Sequence, residues 1–125
     1  MQRKIELDKY YEEGLKYLKE GNIIQASEKF YKCAEDAIKI LSEKLEIPEY
    51  KKAKEKGKWS TVLLFEAVRR ICDVLKNPEI RHLWAEAWFI HTEGFHEERL
   101  KKEEIEARLE DIKKLIKIAR NAKRD

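Results

Sequence analysis

The side chains best suited to chemistry lie close together in residues 84–99. This stretch holds two of the three tryptophans and two of the three histidines of the chain. Histidine is the side chain whose ordinary pKa allows proton exchange near neutral pH. We predict that a helix ends at Gly94 and that His91 and His96 meet there beside Glu93, which makes the two histidines the candidate catalytic residues.

Two other interpretations of these histidines compete with catalysis. A metal site would need both imidazoles and a carboxylate, Glu93 or Glu97, within about 2 Å of one ion. The HxxxxH spacing across a helix end lacks the i, i+4 geometry of HExxH zinc sites, so we predict no metal. In a purely structural role, His91 would cap the negatively polarised end of its helix, which favours the imidazolium cation. Glu93 and Glu97 would then lie in an ion-paired loop with Arg99.

The aromatic residues of the same stretch share one face of a helix. Trp84, Trp88 and His91 follow the i, i+4, i+7 spacing of neighbours on a helical surface. Together with Glu93, the two tryptophans are the candidate binding residues of this corner. Phe89 points away from that face, so it requires cover from a fifth helix or from a second subunit.

The most basic run of the chain precedes the third predicted helix. It has five lysines within eight positions and is followed by Trp59. Lysines neutralise the phosphate backbone of nucleic acids, and tryptophan offers a surface on which a base can stack. The alternative is a solvated loop or short helix, with Trp59 as a lid on the core. The candidate binding lysines are Lys51, Lys52, Lys54, Lys56 and Lys58.

Composition restricts the fold and the partners of the protein. A chain of 125 residues is large enough for one hydrophobic core, so we predict a single domain over residues 1–125. Its 28 basic and 25 acidic side chains leave a formal net charge of +3, so any basic surface for nucleic acid must be local. Four glycines and two prolines are few, and helix-forming residues dominate, which predicts an all-α protein.

The hydrophobic pattern predicts an antiparallel bundle of about five helices. Gly21 ends the first helix, Ser60 caps the third and Asn77-Pro78 starts the fourth. The third helix is apolar on more than one side, so we place it at the centre. Small residues on the second helix would let the first helix approach it closely. The predicted helices cover residues 5–19, 24–45, 61–75, 78–94 and 102–123.

Several kinds of site have no support in the sequence. Cys33 and Cys72 lack zinc or CxxC spacing, so buried thiols are expected, with a disulfide between them as the alternative. No catalytic serine or cysteine pattern and neither common glycine-rich phosphate loop is present. No run approaches the ~20 apolar residues of a membrane helix, so we expect a cytoplasmic protein without membrane contact and without a cofactor. The surface rich in lysine and glutamate is typical of thermophiles.

Four segments of the chain together resemble the archaeal PaREP family. They include a QASEK helix, a GKW turn and an HxEGFHE corner, in matching order and spacing. The resemblance covers nearly the whole chain, and this family in turn resembles the HEPN superfamily of helical bundles. Many HEPN proteins pair as dimers and act as RNA-cutting toxins or as partners of nucleotidyltransferases. The segments are residues 21–39, 56–59, 84–99 and 106–109.

The HEPN ribonuclease motif is an arginine followed by four to six residues and then a histidine. No arginine of this chain has a histidine at that separation. Arg81 precedes His91 by too many residues and lies directly before His82. The resemblance therefore transfers no catalytic residue by motif, although His91 and His96 can occupy a comparable pocket.

We therefore interpret the chain as an HEPN-like antiparallel bundle that forms a homodimer in a thermophilic archaeon. We expect a non-catalytic module that binds nucleic acid, a nucleotide or a protein. RNA, a nucleotide and a nucleotidyltransferase-type protein are the expected partners. One alternative is a metal-independent, HEPN-type ribonuclease of a toxin–antitoxin or defence system. It would use His91 as general acid or base, His96 as its assistant and the lysines of residues 51–58 to hold phosphates. Another alternative is a purely structural dimeric partner protein.

Overall fold

The described part of the chain is helical and contains no strand. The computed structural model describes residues 2–123, with side chains from residue 6 onward. The predicted all-α helical bundle is confirmed. The single domain over residues 1–125 stays a prediction, and Met1, Arg124 and Asp125 lie outside the described residues. The elements are α1 (Gln2–Lys19), α2 (Ile23–Lys44), α3 (Pro48–Lys56), α4 (Thr61–Leu75), α5 (Glu79–Phe89), a π-helical segment (Ile90–His96), α6 (Lys102–Glu106) and α7 (Leu109–Asn121).

Helix α2 forms the centre of the bundle. It packs against α1, α3, α4, α5, α7 and the π-helical segment. Its apolar residues cover more than one side of the helix, so Phe30, Ile38 and Leu41 are completely buried. The prediction that the third helix is central is wrong, because α4 leaves Val62 68% exposed and Phe65 41% exposed.

Helices α1 and α2 form an antiparallel hairpin, in agreement with the close approach predicted from the small residues of the second helix. Gly14 lies so close to Phe30 that a Cβ atom at Gly14 would come within 2.7 Å of the Phe30 ring. The chain turns at Gly21, whose φ of +80° is a conformation that glycine adopts without steric cost. Asn22 then caps α2, because its side-chain oxygen accepts a hydrogen bond from Gln25 N at 3.1 Å.

The predicted start of α4 is confirmed, and α5 begins at Glu79, one residue later than predicted. The Ser60 hydroxyl oxygen accepts a hydrogen bond from Leu63 N at 3.1 Å. Asn77 Oδ1 accepts one from Glu79 N, also at 3.1 Å. Pro78 lies between Asn77 and Glu79 at the start of α5. Proline has no backbone N–H, and this costs no hydrogen bond at a position where the N–H would have no partner within the helix. Both helices therefore begin within one residue of where local sequence signals place them.

The last predicted helix is interrupted at residues 107–108, which separate α6 from α7. The Arg108 guanidinium lies over the Phe89 ring, 4.3 Å from its centre. The same side chain pairs with Glu86 at 3.2 Å and with Glu104 at 3.1 Å. The cover that Phe89 requires therefore comes from this chain, and the prediction of one continuous last helix is wrong.

Two further expectations concern thiols and membranes. Cys33 is buried, with its thiol donating to Leu7 O at 3.6 Å, and Cys72 is half-buried. Both cysteines are free, so the disulfide alternative is not realised. Burial raises the pKa of both thiols, which keeps them protonated at neutral pH. None of the described helices is long and apolar enough to cross a membrane.

Candidate functional site

A π-helical segment carries the two candidate catalytic histidines. It follows α5 without a break and includes the i→i+5 hydrogen bond from Glu97 N to Thr92 O at 2.9 Å. Residues five apart therefore lie near one another on this segment, which aligns His91 with His96. The prediction that the helix ends at Gly94 is wrong, because the segment continues through it to His96.

Gly94 lets the π-helical segment pack closely against α2. It is buried, and a Cβ atom in its place would lie 2.1 Å from Ser27 Oγ and 2.7 Å from Ser27 Cβ. Ser27 is itself fully buried, and its hydroxyl donates to Ile23 O at 2.7 Å. The glycine is therefore required by the close approach of two helices and not by a left-handed helix cap.

The structure brings the two histidines into direct contact. His91 Nε2 and His96 Nε2 are 3.0 Å apart, and the ring planes are nearly perpendicular at 81°. His91 stacks on Tyr31, with 3.9 Å between ring centroids, and its ring is nearly parallel to that of Phe95. His91 is half-buried, whereas His96 is exposed. The prediction that the two histidines meet at one spot is confirmed.

His91 favours its neutral form more than an exposed histidine does. Burial lowers the pKa of His91, the nearby imidazole of His96 lowers it further, and the negative charge of Glu35 opposes the shift only in part. His91 is also the second residue of the π-helical segment, far from the end of a helix. The interpretation in which a helix end stabilises its cation is therefore wrong. A neutral imidazole has one free nitrogen lone pair, which can accept a proton or a metal ion.

The other candidate residues of this corner differ in their access to a ligand. Trp84 is only 1% exposed, so it belongs to the core and lies out of reach of a ligand. Trp88 is half-buried, with its ring centroid 5.0 Å from that of His91. Glu93 is paired with Arg99 at 2.7 Å. Among the described residues, no group of three or more histidine, cysteine, aspartate or glutamate side chains is placed to hold a metal ion.

A recess of about 290 Å³ lies where α2, α3 and the turn after α3 meet. The basic segment that the sequence analysis singled out is the short helix α3, which ends at Gly57. Lys54, Lys58 and Trp59 line the recess, and we refer to it as the lysine–tryptophan recess. Trp59 also packs against the hydrophobic core, as the alternative interpretation predicted. The predicted lysines that are exposed and do not line the recess are Lys51, Lys52 and Lys56.

The comparison with known families agrees with this architecture. The family model of the archaeal PaREP1/PaREP8 family matches residues 2–116. The chain belongs to this family. The match includes the lysine–tryptophan recess and the histidine pair of this PaREP1/PaREP8 protein.

Two solved structures resemble this PaREP1/PaREP8 protein in fold and sequence. A crystal structure of a Sulfolobus solfataricus protein has a TM-score of 0.85 and 38% identity, covering 93% of this chain and 94% of that chain. A solution structure of the Orf c02003 protein has a TM-score of 0.81 and 39% identity, covering 93% and 89%. The comparison with curated proteins gives no match. The comparisons therefore establish the family and the fold of the chain.

Three polar side chains of the lysine–tryptophan recess in this PaREP1/PaREP8 protein were missed from the sequence. They are Lys39 and Glu43 on α2 and Tyr50 on α3. Lys39 Nζ donates to Glu35 Oε2 at 2.7 Å. Tyr31, Glu35, Lys39 and Glu43 follow one another at i, i+4 spacing, which places them in one row along α2. This spacing is the sequence signal that connects Lys39 and Glu43 of the recess with Tyr31, the residue on which His91 of the histidine pair stacks.

Proposed function

We propose that this PaREP1/PaREP8 protein is a non-catalytic module that binds single-stranded RNA through the lysine–tryptophan recess. The observation that carries the proposal is that two aromatic side chains, Tyr50 and Trp59, line one recess with Lys54 and Lys58. Proteins that bind single strands combine cationic groups for the phosphates with aromatic rings on which bases stack. A local recess of this kind also agrees with a net charge of only +3.

The size and charge of the recess favour one nucleotide unit. Its volume of about 290 Å³ lies just below the usual range of ligand pockets, which is roughly 300–1,000 Å³. Lys54 Nζ is 5.7 Å from the centre of the Tyr50 ring, so a cation and an aromatic surface are adjacent. Glu43 repels phosphate and can accept a hydrogen bond from the amino group of a base. We therefore expect the phosphate near the lysines and the base near Glu43.

Fluorescence anisotropy with a labelled single-stranded RNA, at several salt concentrations, tests this proposal. We expect Lys54→Ala and Lys58→Ala to weaken binding more than Lys51→Ala does. Lys51→Ala is the matched control, because it removes the same charge from the same segment outside the recess. Loss of one phosphate contact reduces the slope of log affinity against log salt by about 1. Equal effects of the three substitutions, or no RNA binding, would contradict the proposal.

The contact between His91 and His96 favours a second candidate function, a metal-independent ribonuclease of the HEPN type. Two adjacent imidazoles on the surface can serve as general base and general acid in cleavage of the RNA backbone. The test is cleavage of structured and single-stranded RNA by the wild type, His91→Ala and Lys56→Ala, with and without chelator. This candidate requires that His91→Ala lose cleavage and retain RNA binding. Absence of cleavage by the wild type would exclude it.

An exposed apolar face of α4 favours a third candidate, a structural protein that acts as a homodimer. Val62 and Phe65 are 68% and 41% exposed and line one shallow cavity on this face. Neighbouring exposed apolar side chains are typical of protein interfaces. Light scattering would then give the mass of a dimer, and RNA affinity that falls with salt would be absent. The nucleotidyltransferase-type partner, the cytoplasmic location and the thermophilic source stay predictions.

A further inference from the structure

The distance between the two histidine nitrogens matches that between two ligands of one metal ion. Imidazole nitrogens bind zinc at about 2.0–2.1 Å, and we take the same bond length for related first-row ions. Two such bonds to His91 Nε2 and His96 Nε2, which are 3.0 Å apart, enclose an angle of about 95°. A tetrahedral ion would hold the nitrogens about 3.3 Å apart. The geometry therefore favours the adjacent positions of a square-planar or octahedral ion.

The two rings approach each other at an angle. Their centroids are 4.4 Å apart. In a straight N–H···N hydrogen bond of 3.0 Å, the centroids would be about 5 Å apart, because each nitrogen lies about 1.1 Å from its ring centre. The shorter distance means that the nitrogen lone pairs of His91 and His96 do not both point along the line between the two atoms. Two imidazoles that share one ion adopt such a bent approach.

The surroundings of the pair are suited to a cation. The ring of His91 is held by stacking on Tyr31, which reduces the side-chain entropy lost when a ligand binds. His96 is exposed, so an ion can reach the pair from solvent. Glu93 is paired with Arg99 and is not needed as a third ligand.

We propose that His91 and His96 bind one divalent transition-metal ion, of the Ni²⁺ or Cu²⁺ class, through their Nε2 atoms. Imidazole nitrogens suit these ions, and both ions accept ligands at right angles. In this state each neutral imidazole carries its proton on Nδ1 and offers the Nε2 lone pair to the ion, and water fills the remaining positions of the ion. This site goes beyond the RNA binding proposed for the lysine–tryptophan recess and does not depend on it.

Isothermal titration calorimetry with Ni²⁺ tests the proposal on the full chain. The variants are His96→Gln, which removes one ligand, and His82→Gln, which removes the remaining histidine of the chain as a matched control. Both side chains are exposed, so neither substitution disturbs the core. We expect one Ni²⁺ per chain for the wild type and for His82→Gln. Binding by His96→Gln is expected to be weaker by roughly a hundredfold, because two linked ligands bind far more tightly than one.

The outcomes separate this site from other causes of Ni²⁺ binding. Equal affinity of the wild type and His96→Gln would overturn the proposal, as would loss of binding in His82→Gln. A wild-type affinity for Mg²⁺ equal to that for Ni²⁺ would also overturn it, because Mg²⁺ prefers oxygen ligands. Far-UV circular dichroism of each variant verifies the fold. The anisotropy assay with Lys54→Ala reports on the recess separately, so failure of one proposal is distinguishable from failure of the other.

Discussion

Replacing Gly94 with alanine should destabilise the protein through its contact with Ser27. The added Cβ atom would lie 2.1 Å from Ser27 Oγ and 2.7 Å from Ser27 Cβ. Rotation of the Ser27 hydroxyl relieves only the first overlap, because the position of a Cβ atom is set by the backbone. Ser27 lies on α2, at the centre of the bundle, so the π-helical segment must move outward.

The expected loss of stability follows from the cost of overpacking a close-packed core. Such substitutions destabilise by typically about 1–3 kcal/mol, and the required backbone movement places Gly94→Ala at about 2–3 kcal/mol. For a chain of 125 residues, each kcal/mol lowers the Tm by roughly 3–6 °C. We therefore expect the Tm to fall by roughly 10 °C. The same movement would carry His91 away from Tyr31 on α2, on which its ring stacks.

Thermal and urea unfolding, followed by far-UV circular dichroism, measure this loss. Ser27→Gly in the Gly94→Ala background removes the opposing Cβ atom and should restore part of the lost free energy. Because glycine within a helix itself costs about 1 kcal/mol, the full double-mutant cycle is required. Gly57→Ala is the control for coupling: its φ of +75° makes alanine costly there by itself, but a Cβ meets nothing within 4 Å and should show no coupling to Ser27. A wild-type Tm for Gly94→Ala, or zero coupling with Ser27→Gly, would refute the close-packing explanation.

Three further predictions concern stability and use the free energy of unfolding in urea as the measurement. Burial alone would raise the pKa of Glu49, but hydrogen bonds and the charge of Arg70 outweigh it and hold that pKa below its ordinary value. Glu49→Gln should therefore be less stable than the wild type at neutral pH, and the difference should vanish as pH falls through the lowered pKa. Arg108→Ala should lose about 1–2 kcal/mol of unfolding free energy, because the guanidinium both pairs with carboxylates and covers Phe89. The stability of Arg108→Lys should lie between that of Arg108→Ala and that of the wild type. Ser60→Ala should lose about 1 kcal/mol and Ser60→Asp much less, because aspartate also caps a helix. A difference between Glu49→Gln and the wild type that does not change with pH would contradict the first prediction. An Arg108→Ala variant as stable as the wild type would contradict the second, and equal losses of unfolding free energy in both Ser60 variants would contradict the third.

Features that depend on neighbours in sequence could be predicted. The Ser60 cap needs only the backbone N–H three residues later, and the turn at Gly21 needs only a residue that tolerates positive φ. The meeting of His91 and His96 could be predicted for the same reason, since both lie in one short stretch.

Features that depend on another helix could not be predicted. Gly94 resembles a helix terminator in sequence, but its role is set by Ser27 on α2. The interruption before α7 has no glycine or proline to signal it, and Arg108 finds its partners on α5. Lys39 resembles any solvated lysine on a helix until α3 and the turn after it are placed alongside. In each case a contact distant in the chain overrides the local pattern.

Helix α2 joins the two candidate sites. Tyr31, which stacks on His91, and Lys39, which lines the recess, are eight residues apart along α2. At a rise of 1.5 Å per residue this separation is about 12 Å, and a stacked strand that advances about 3.4 Å per nucleotide covers it with about four nucleotides. Glu35 lies between them and is neutralised by its pair with Lys39, so the intervening surface need not repel a phosphate backbone. A mononucleotide bound in the recess would therefore not reach the histidine pair, whereas an RNA of about four nucleotides would be long enough to contact both sites.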